Sequence, residues 1–197
     1  IDLAAAEEIN KLFFEILVAT AYDPDALELL KSKKNRIILA QKQKLAAKKQ
    51  FKSLLNGVIE QDADLRTDAR ADLKVVTKRE PTQAEINALL FASKVAKHTK
   101  SNTIVLAVEG QLLASGVGQT SRVDALKKAK AIGMTLKGAV MASDAFFPFP
   151  DCVEIAHGEG IEAVIQPGGS IKDKDSIVYC DSHNMAMVFT GLRHFKH

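Results

Sequence analysis

Between Ala139 and Thr190, apolar runs of strand length alternate with stretches of helical spacing, and this alternation restricts the chain to an α/β architecture. The runs are Ala139–Ala142, Glu162–Gln166 and Ala186–Thr190, and the helical stretches cover about 150–158 and Asp173–Ser182. Strands joined through helices run parallel, because the crossover returns the chain to the same edge of the sheet. Three loops then leave the carboxyl ends of neighbouring strands: Ser143–Asp151, Pro167–Ile171 and Gly191–His197. Open α/β sheets bind ligands at that edge.

The first of these loops is compositionally unusual. Aromatic residues make up 6% of the chain and Trp is absent, yet Phe146, Phe147 and Phe149 crowd around Pro148 and Pro150. Proline fixes φ and removes a backbone donor, so the loop should be stiff. It can serve as a wall for a planar ligand or as a plug over the core beneath. The convergence of three loops on one rim favours the wall. Pro167-Gly168-Gly169-Ser170 offers exposed N–H groups and a hydroxyl, and Arg193 offers a planar donor fork.

Upstream, Thr82-Gln83-Ala84-Glu85 is a capping box for a helix reaching about Lys100, with Lys94, Lys97, His98 and Lys100 complementing its dipole. Thr103–Val108 and Gln111–Ser115 form a hairpin through Glu109-Gly110. Gly116-Val117-Gly118-Gln119-Thr120-Ser121-Arg122 opens a helix with Val123, Leu126, Ala129 and Ile132 on one face and Gly133 as its stop. The dinucleotide fingerprint is not matched, since Arg122 stands where its third glycine belongs. Arg122 beside free helix N–H groups suits a phosphate or carboxylate, although an ordinary surface arginine costs little there.

Lys78-Arg79-Glu80-Pro81 marks a boundary, giving domains 1–80 and 81–197. In the first, residues 2–12 read as helix and Phe13–Ala19 as a buried strand. Asp23 caps a helix with Pro24 at its first position, and Arg36–Ala40 is a second buried strand. A strand over Leu54–Gln61, a polar loop over Asp62–Asp72 and a strand over Leu73–Thr77 follow. Nine Lys or Arg and no acid lie between Lys31 and Lys52. Such a run is an anion funnel or, more commonly, a solvated connection.

The 47% apolar and 26% charged fractions are those of a globular protein, and a net charge of +3 gives no basis for nucleic-acid binding. Cys152 and Cys180 have neither metal-ligand spacing nor the density of a disulfide framework, which suits a reducing, cytoplasmic setting. No apolar run reaches the roughly 18 residues of a membrane span. Nucleophile-elbow, zinc and Walker motifs are lacking. Asn102, Arg122, Asp144, Asp151, Ser170, Arg193 and the terminal histidines His194 and His197 suit a phosphorylated or carboxylated heteroaromatic ligand. No general base stands with them, since His157 and His183 fall in helical stretches away from the rim. The chain opens at Ile1 directly into a helix-like segment, from which a preceding segment is expected.

Lys97–Asn102, Gly116–Arg122, Ser143–Phe149, Gln166–Ser170 and Arg193–His197 occur in an order and spacing that is specific when taken together. With Tyr22–Leu27 and Leu73–Arg79, they resemble the carboxyl-terminal part of the bifunctional purine biosynthesis family. Its members join an aminoimidazole carboxamide ribonucleotide (AICAR) formyltransferase to an inosine monophosphate (IMP) cyclohydrolase. The resemblance implies a cytidine-deaminase-like α/β/α three-layer unit with a mixed, largely parallel sheet, preceded over 1–80 by the end of a second similar unit and a connecting hairpin. The deaminase zinc signature is missing, so kinship of fold carries no deaminase chemistry.

In function, the resemblance implies formyl transfer from 10-formyltetrahydrofolate to the amine of AICAR by a homodimer. Asn102, Arg122, Phe146 and Arg193 would face the ribonucleotide, and Pro148, Phe149, Asp151 and Ser170 the folate. A potassium ion would lie near Val95, Ser101, Thr103 and Asp144 and the carbonyls around His194 and Lys196. There are two departures. Pro150 stands where the family commonly has Arg, and the chain contains no Lys-His-x-Asn-Pro-Cys-Gly segment, which carries the family's catalytic pair. Lys97-His98 belongs to a different block. A non-catalytic ligand-binding or dimerisation module is the alternative, motivated by the missing general base.

Overall fold

A computed structural model describes residues 1–43, 48–131, 133 and 135–196. Ile132, His197 and part of the basic run (residues 44–47) lie outside the described residues. The chain forms two compact units, Ile1–Leu65 and Arg66–His197.

In the first unit, α1 (Leu3–Asn10) and α2 (Pro24–Lys31) accompany the parallel pair β1 (Ile16–Ala19) and β2 (Ile37–Ala40), the expected single crossover. Its small core joins Ala6, Ala26 and Leu30 to Leu17 and Ile38. The two strands are not buried as their apolar runs suggested. Ile16, Val18, Ile37 and Leu39, in register across the pair, remain about half exposed, because the helices of this unit pack against the other face only. Asp23 holds the N-cap position without a side-chain bond, and Asp25 accepts from the Ala26 N–H instead, at 2.8 Å.

A further strand, β3 (Lys49–Leu54), starts within the basic run, and the strand expected over Leu54–Gln61 corresponds to β4 (Gly57–Asp62) after it. The two form an antiparallel hairpin turning at Leu55-Asn56. Lys49 bridges Glu60 and Asp62 across it at 2.7 and 2.9 Å. The described part of the basic run is mostly exposed, as a solvated connection would be.

The second unit begins with a 3₁₀ turn (Arg70–Asp72), so the expected loop is partly ordered. There follow β5 (Lys74–Val75), α3 (Gln83–His98), β6 (Ile104–Val108), β7 (Gln111–Gly116) and α4 (Arg122–Lys130). The chain ends with β8 (Val140–Ser143), α5 (Asp151–Gly158), β9 (Ala163–Gln166), α6 (Asp173–Ser182) and β10 (Ala186–Phe189). The sheet order is β5-β10-β9-β8-β6-β7, with β8, β9 and β10 parallel and the other pairings antiparallel. The expected mixed sheet is present.

Side chains alternate across this sheet with the period of two that a pleated strand imposes. Val105, Ala107, Val140, Ala142, Ala163, Ile165, Ala186 and Val188 face α3, which answers with Ala88, Leu89, Ala92 and Ala96. Alanine against alanine lets this helix lie close to the strands. Ile104, Leu106, Met141, Val164 and Met187 face the opposite layer with α4, α5 and α6. Three layers, α/β/α, result. The capping box of α3 is formed: Thr82 Oγ1 accepts from the Glu85 N–H at 3.2 Å, and Glu85 Oε2 from the Thr82 N–H at 2.7 Å.

Cys152 on α5 and Cys180 on α6 are fully buried free thiols in this second layer. Burial pushes each thiol up to about 12. Since the thiolate is the reactive form, alkylation at neutral pH should be at least about a hundredfold slower than for a small free thiol. It should accelerate only in denaturant. Rapid labelling of the native protein by iodoacetamide would mean that α5 or α6 opens locally.

Candidate functional site

The sheet topology gathers more onto one rim than the three loops alone. β6 runs against β8, and Ile104 pairs with Ser143 on one side and Gly116 on the other. The start of β6 and the end of β7 therefore share an edge with the carboxyl ends of β8, β9 and β10. Residues 100–103 and the 116–122 loop come with them. β5 is antiparallel to β10, with Lys74 opposite Phe189, so the segment preceding Lys74 reaches the same edge.

Arg122 is the first residue of α4, whose N-cap Ser121 accepts from the Asp124 N–H at 3.1 Å. Its guanidinium donates from Nε to Ser143 Oγ at 3.3 Å and meets Asp144 Oδ1 at 3.4 Å. The Arg122 side chain is 12% exposed and that of Asp144 is fully buried. A cation thus sits at a helix N-terminus because a carboxylate from the next strand's end neutralises it. Burial pushes the Arg122 pKa down, and Asp144 opposes that push.

The aromatic loop divides its work. Phe147 is completely buried and plugs the α4–α6 layer, with its N–H donating to the buried Gln166 Oε1 at 3.0 Å. Phe146 is half-buried, and the Arg193 guanidinium lies 4.3 Å from its ring centroid. Phe195 stands between the two arginines, 6.0 Å from Arg122 and 5.8 Å from Arg193. Two guanidinium groups flanking aromatic faces suit an anionic planar ligand. Pro148 and Phe149 project to solvent, Phe149 being 57% exposed.

The other expected site residues are more occupied than their sequence suggested. Asn102 Nδ2 donates to the carbonyls of Gln119 and Thr120 at 3.2 Å each, bracing the loop that leads to Arg122. Asp151 Oδ1 accepts from the Cys152 N–H at 2.8 Å at the start of α5. The N–H groups of Gly169 and Ser170 are not open to an anion. Asp173 Oδ2 accepts both, at 2.7 and 3.0 Å, while Ser170 Oγ accepts from the Lys172 N–H.

Around Asp144, Ser101 and Thr103 are buried and Val95 is half-buried. Thr103 Oγ1 donates to the Gly116 carbonyl at 2.9 Å. Ser101 and Lys196 exchange two hydrogen bonds: Ser101 N–H to the Lys196 carbonyl at 2.8 Å, and Lys196 N–H to Ser101 Oγ at 2.9 Å. The His194 N–H donates to the Asp144 carbonyl at 3.0 Å. Asp144 Oδ2 is buried with no hydrogen-bond partner among the described residues, an oxygen that a hard cation fits. Among those residues no cluster of three or more His, Cys, Asp or Glu is placed to hold a metal.

Lys97 is buried and turned away from ligand chemistry, its Nζ donating to the Arg66 carbonyl at 2.5 Å and Thr67 Oγ1 at 3.2 Å. His157 and His183 cluster with Tyr179 at the carboxyl ends of α5 and α6, away from the rim, their ring centroids 4.8 Å apart. Sequence reasoning missed Ser143, Phe195 and Asp68. Asp68 is buried in front of the 3₁₀ turn, and Oδ2 takes Ser93 Oγ at 2.5 Å and His194 Nε2 at 3.2 Å. No spacing signal could have paired positions 126 residues apart.

The bifunctional purine biosynthesis protein PurH of Bacteroides thetaiotaomicron is 65% identical over 201 residues, covering all of this chain and 40% of that protein. Those of Acetivibrio thermocellus and Chlorobium chlorochromatii are 51% and 50% identical, again over the whole chain and 39% and 38% of their own lengths. The chain thus spans about two-fifths of the length of these relatives. A solved structure, apo dCMP deaminase of cyanophage S-TIM5, aligns over 55% of this chain and 98% of its own at 12% identity and a TM-score of 0.36. Residues 1–131 match the family model described as the AICARFT/IMPCHase bienzyme. With the matched segment running from α1 through Asn102 and Arg122, the chain belongs to the AICARFT/IMPCHase bienzyme family.

Proposed function

We propose that this chain forms part of an AICAR formyltransferase and supplies walls of its substrate site. One observation carries the reading: Arg193 stacked on Phe146 at 4.3 Å, on the rim that also holds Arg122 and Phe195. A phosphorylated imidazole ribonucleotide has the matching chemistry, with a planar ring for the aromatic faces and a dianion for the guanidinium groups. Asn102, Arg122, Phe146 and Arg193 take the ribonucleotide. Pro148, Phe149, Asp151 and Ser170 border the folate, where the exposed Phe149 offers a face to a flat pterin.

In the reaction, the amine nitrogen of AICAR bonds to the formyl carbon, and the bond from that carbon to N10 of the folate breaks. A proton leaves the amine and N10 gains one. Positioning of the two reactants is this chain's contribution. Proton handling falls to the Lys-His pair that family resemblance assigns to a segment upstream of it. A potassium ion fits beside Asp144 Oδ2, with Ser101 and Thr103 hydroxyls, Val95 and the carbonyls near His194 and Lys196 around it, where it would supply fixed positive charge. A cytoplasmic homodimer completes the reading.

The test is direct. The 197-residue chain should bind AICAR in calorimetric titration and show no turnover with 10-formyltetrahydrofolate. The longer protein containing it should form formyl-AICAR. Absence of formyl transfer by the longer protein would remove the reading. Turnover by the isolated chain would overturn the division of labour.

A further inference from the structure

We propose that Asp68 is a positioning residue for the ligand rim: it anchors His194 and thereby holds Arg193 and Phe195 in place. Residues 191–196 form no helix or strand, so their order depends on side-chain and backbone ties. Gly191 and Leu192 are tied back to Pro167 and Thr190, and further bonds hold residues 194–196. The His194 N–H bonds the Asp144 carbonyl, Lys196 exchanges two bonds with Ser101, and His194 Nε2 meets the buried Asp68 carboxylate. The last uses a side chain directed into the interior, and His194 is 4% exposed. With His194 turned inward, its neighbours Arg193 and Phe195 are presented to the arginine–aromatic cluster.

Asp68 is itself held. Ser93 Oγ from α3 donates to the same carboxylate oxygen, and Lys97 clamps the preceding residues through the Arg66 carbonyl and Thr67 Oγ1. Burial works against the charge on Asp68, but the bonds from His194 and Ser93 prevail and hold its pKa below the usual carboxylate range. A charged, doubly bonded acceptor in a buried site is a stiff anchor, and a small displacement of a positioning group is costly in binding.

The anchoring stands on its own, whereas its effect on AICAR binding rests on the formyltransferase reading. Asp68→Ala should raise amide exchange of His194 and Lys196 at least about tenfold while β6 amides keep their protection. The same variant should weaken AICAR binding by about tenfold or more, and by less than about twofold in an Arg193→Ala background, because its effect passes through Arg193. His194→Ala should reproduce the exchange change and serves if Asp68→Ala fails to fold. Unchanged exchange at 194 and 196 in either folded variant overturns the anchor. A full affinity loss persisting in the Arg193→Ala background overturns the route through Arg193. If the wild-type chain binds no AICAR, the functional reading fails, and exchange still decides the anchor.

Discussion

Gly116→Ala is expected to destabilise the second unit by about 3 kcal/mol. A Cβ on Gly116 would lie 1.7 Å from the Ala125 carbonyl oxygen and 2.4 Å from its carbon. Those are backbone atoms of α4, which cannot swing aside as a side chain can. Relief requires moving the helix off the end of β7, and α4 carries the fully buried Ala125 and Leu126 into the core. It also carries Arg122 at its first position, so the substitution should disturb the contact with Asp144. Gly158 is the control: an added Cβ meets nothing within 4 Å, and Gly158→Ala should be neutral or stabilising by roughly 0.5–1 kcal/mol. Urea unfolding of the three proteins checks this. Equal midpoints for the two variants would contradict the close approach of β7 and α4.

Gly116 illustrates the limit of reading this fold from sequence. The alternation that placed β8, α5, β9, α6 and β10 is a local signal repeated along the chain, and α6 was legible to the residue, at Asp173–Ser182. What makes Gly116 indispensable is the following helix α4 folding back on it through Ala125, and a glycine in a G-x-G string looks the same without that contact. Of the β3–β4 hairpin, the residues alone marked only the second strand, because β3 starts within the basic run and carries just Phe51 and Leu54 as apolar residues. Apolar runs correctly marked β1 and β2 as strands but overstated their burial, since composition does not say what covers a face. At the site, Arg122, Phe146 and Arg193 were legible as ligand-type residues on converging loops. The ties that orient them, from Ser143, Asp144 and Asp68, are long-range and carry no spacing signature.

Arg122→Ala is the variant expected to affect both stability and binding. Removing one member of a buried ion pair strands the other, at a cost of about 3 kcal/mol. Asp144 has no exposed surface, its Oδ2 already has no hydrogen-bond partner among the described residues, and Oδ1 would lose the guanidinium at 3.4 Å. The double variant Arg122→Ala/Asp144→Ala should therefore recover part of the loss, which a simple sum of two deletions would not predict. Arg122→Lys keeps the charge but not the planar fork that reaches both Ser143 and Asp144, and should fall between the two. In titration, each single Arg122 variant should weaken AICAR by about tenfold or more and the folate by much less, because the proposed function places Arg122 on the ribonucleotide side. Equal losses for both ligands would reassign Arg122 to a shared structural role. An Arg122→Ala protein as stable as the wild type would mean that Asp144 finds another partner, and the place of this ion pair at the centre of the rim would have to be given up.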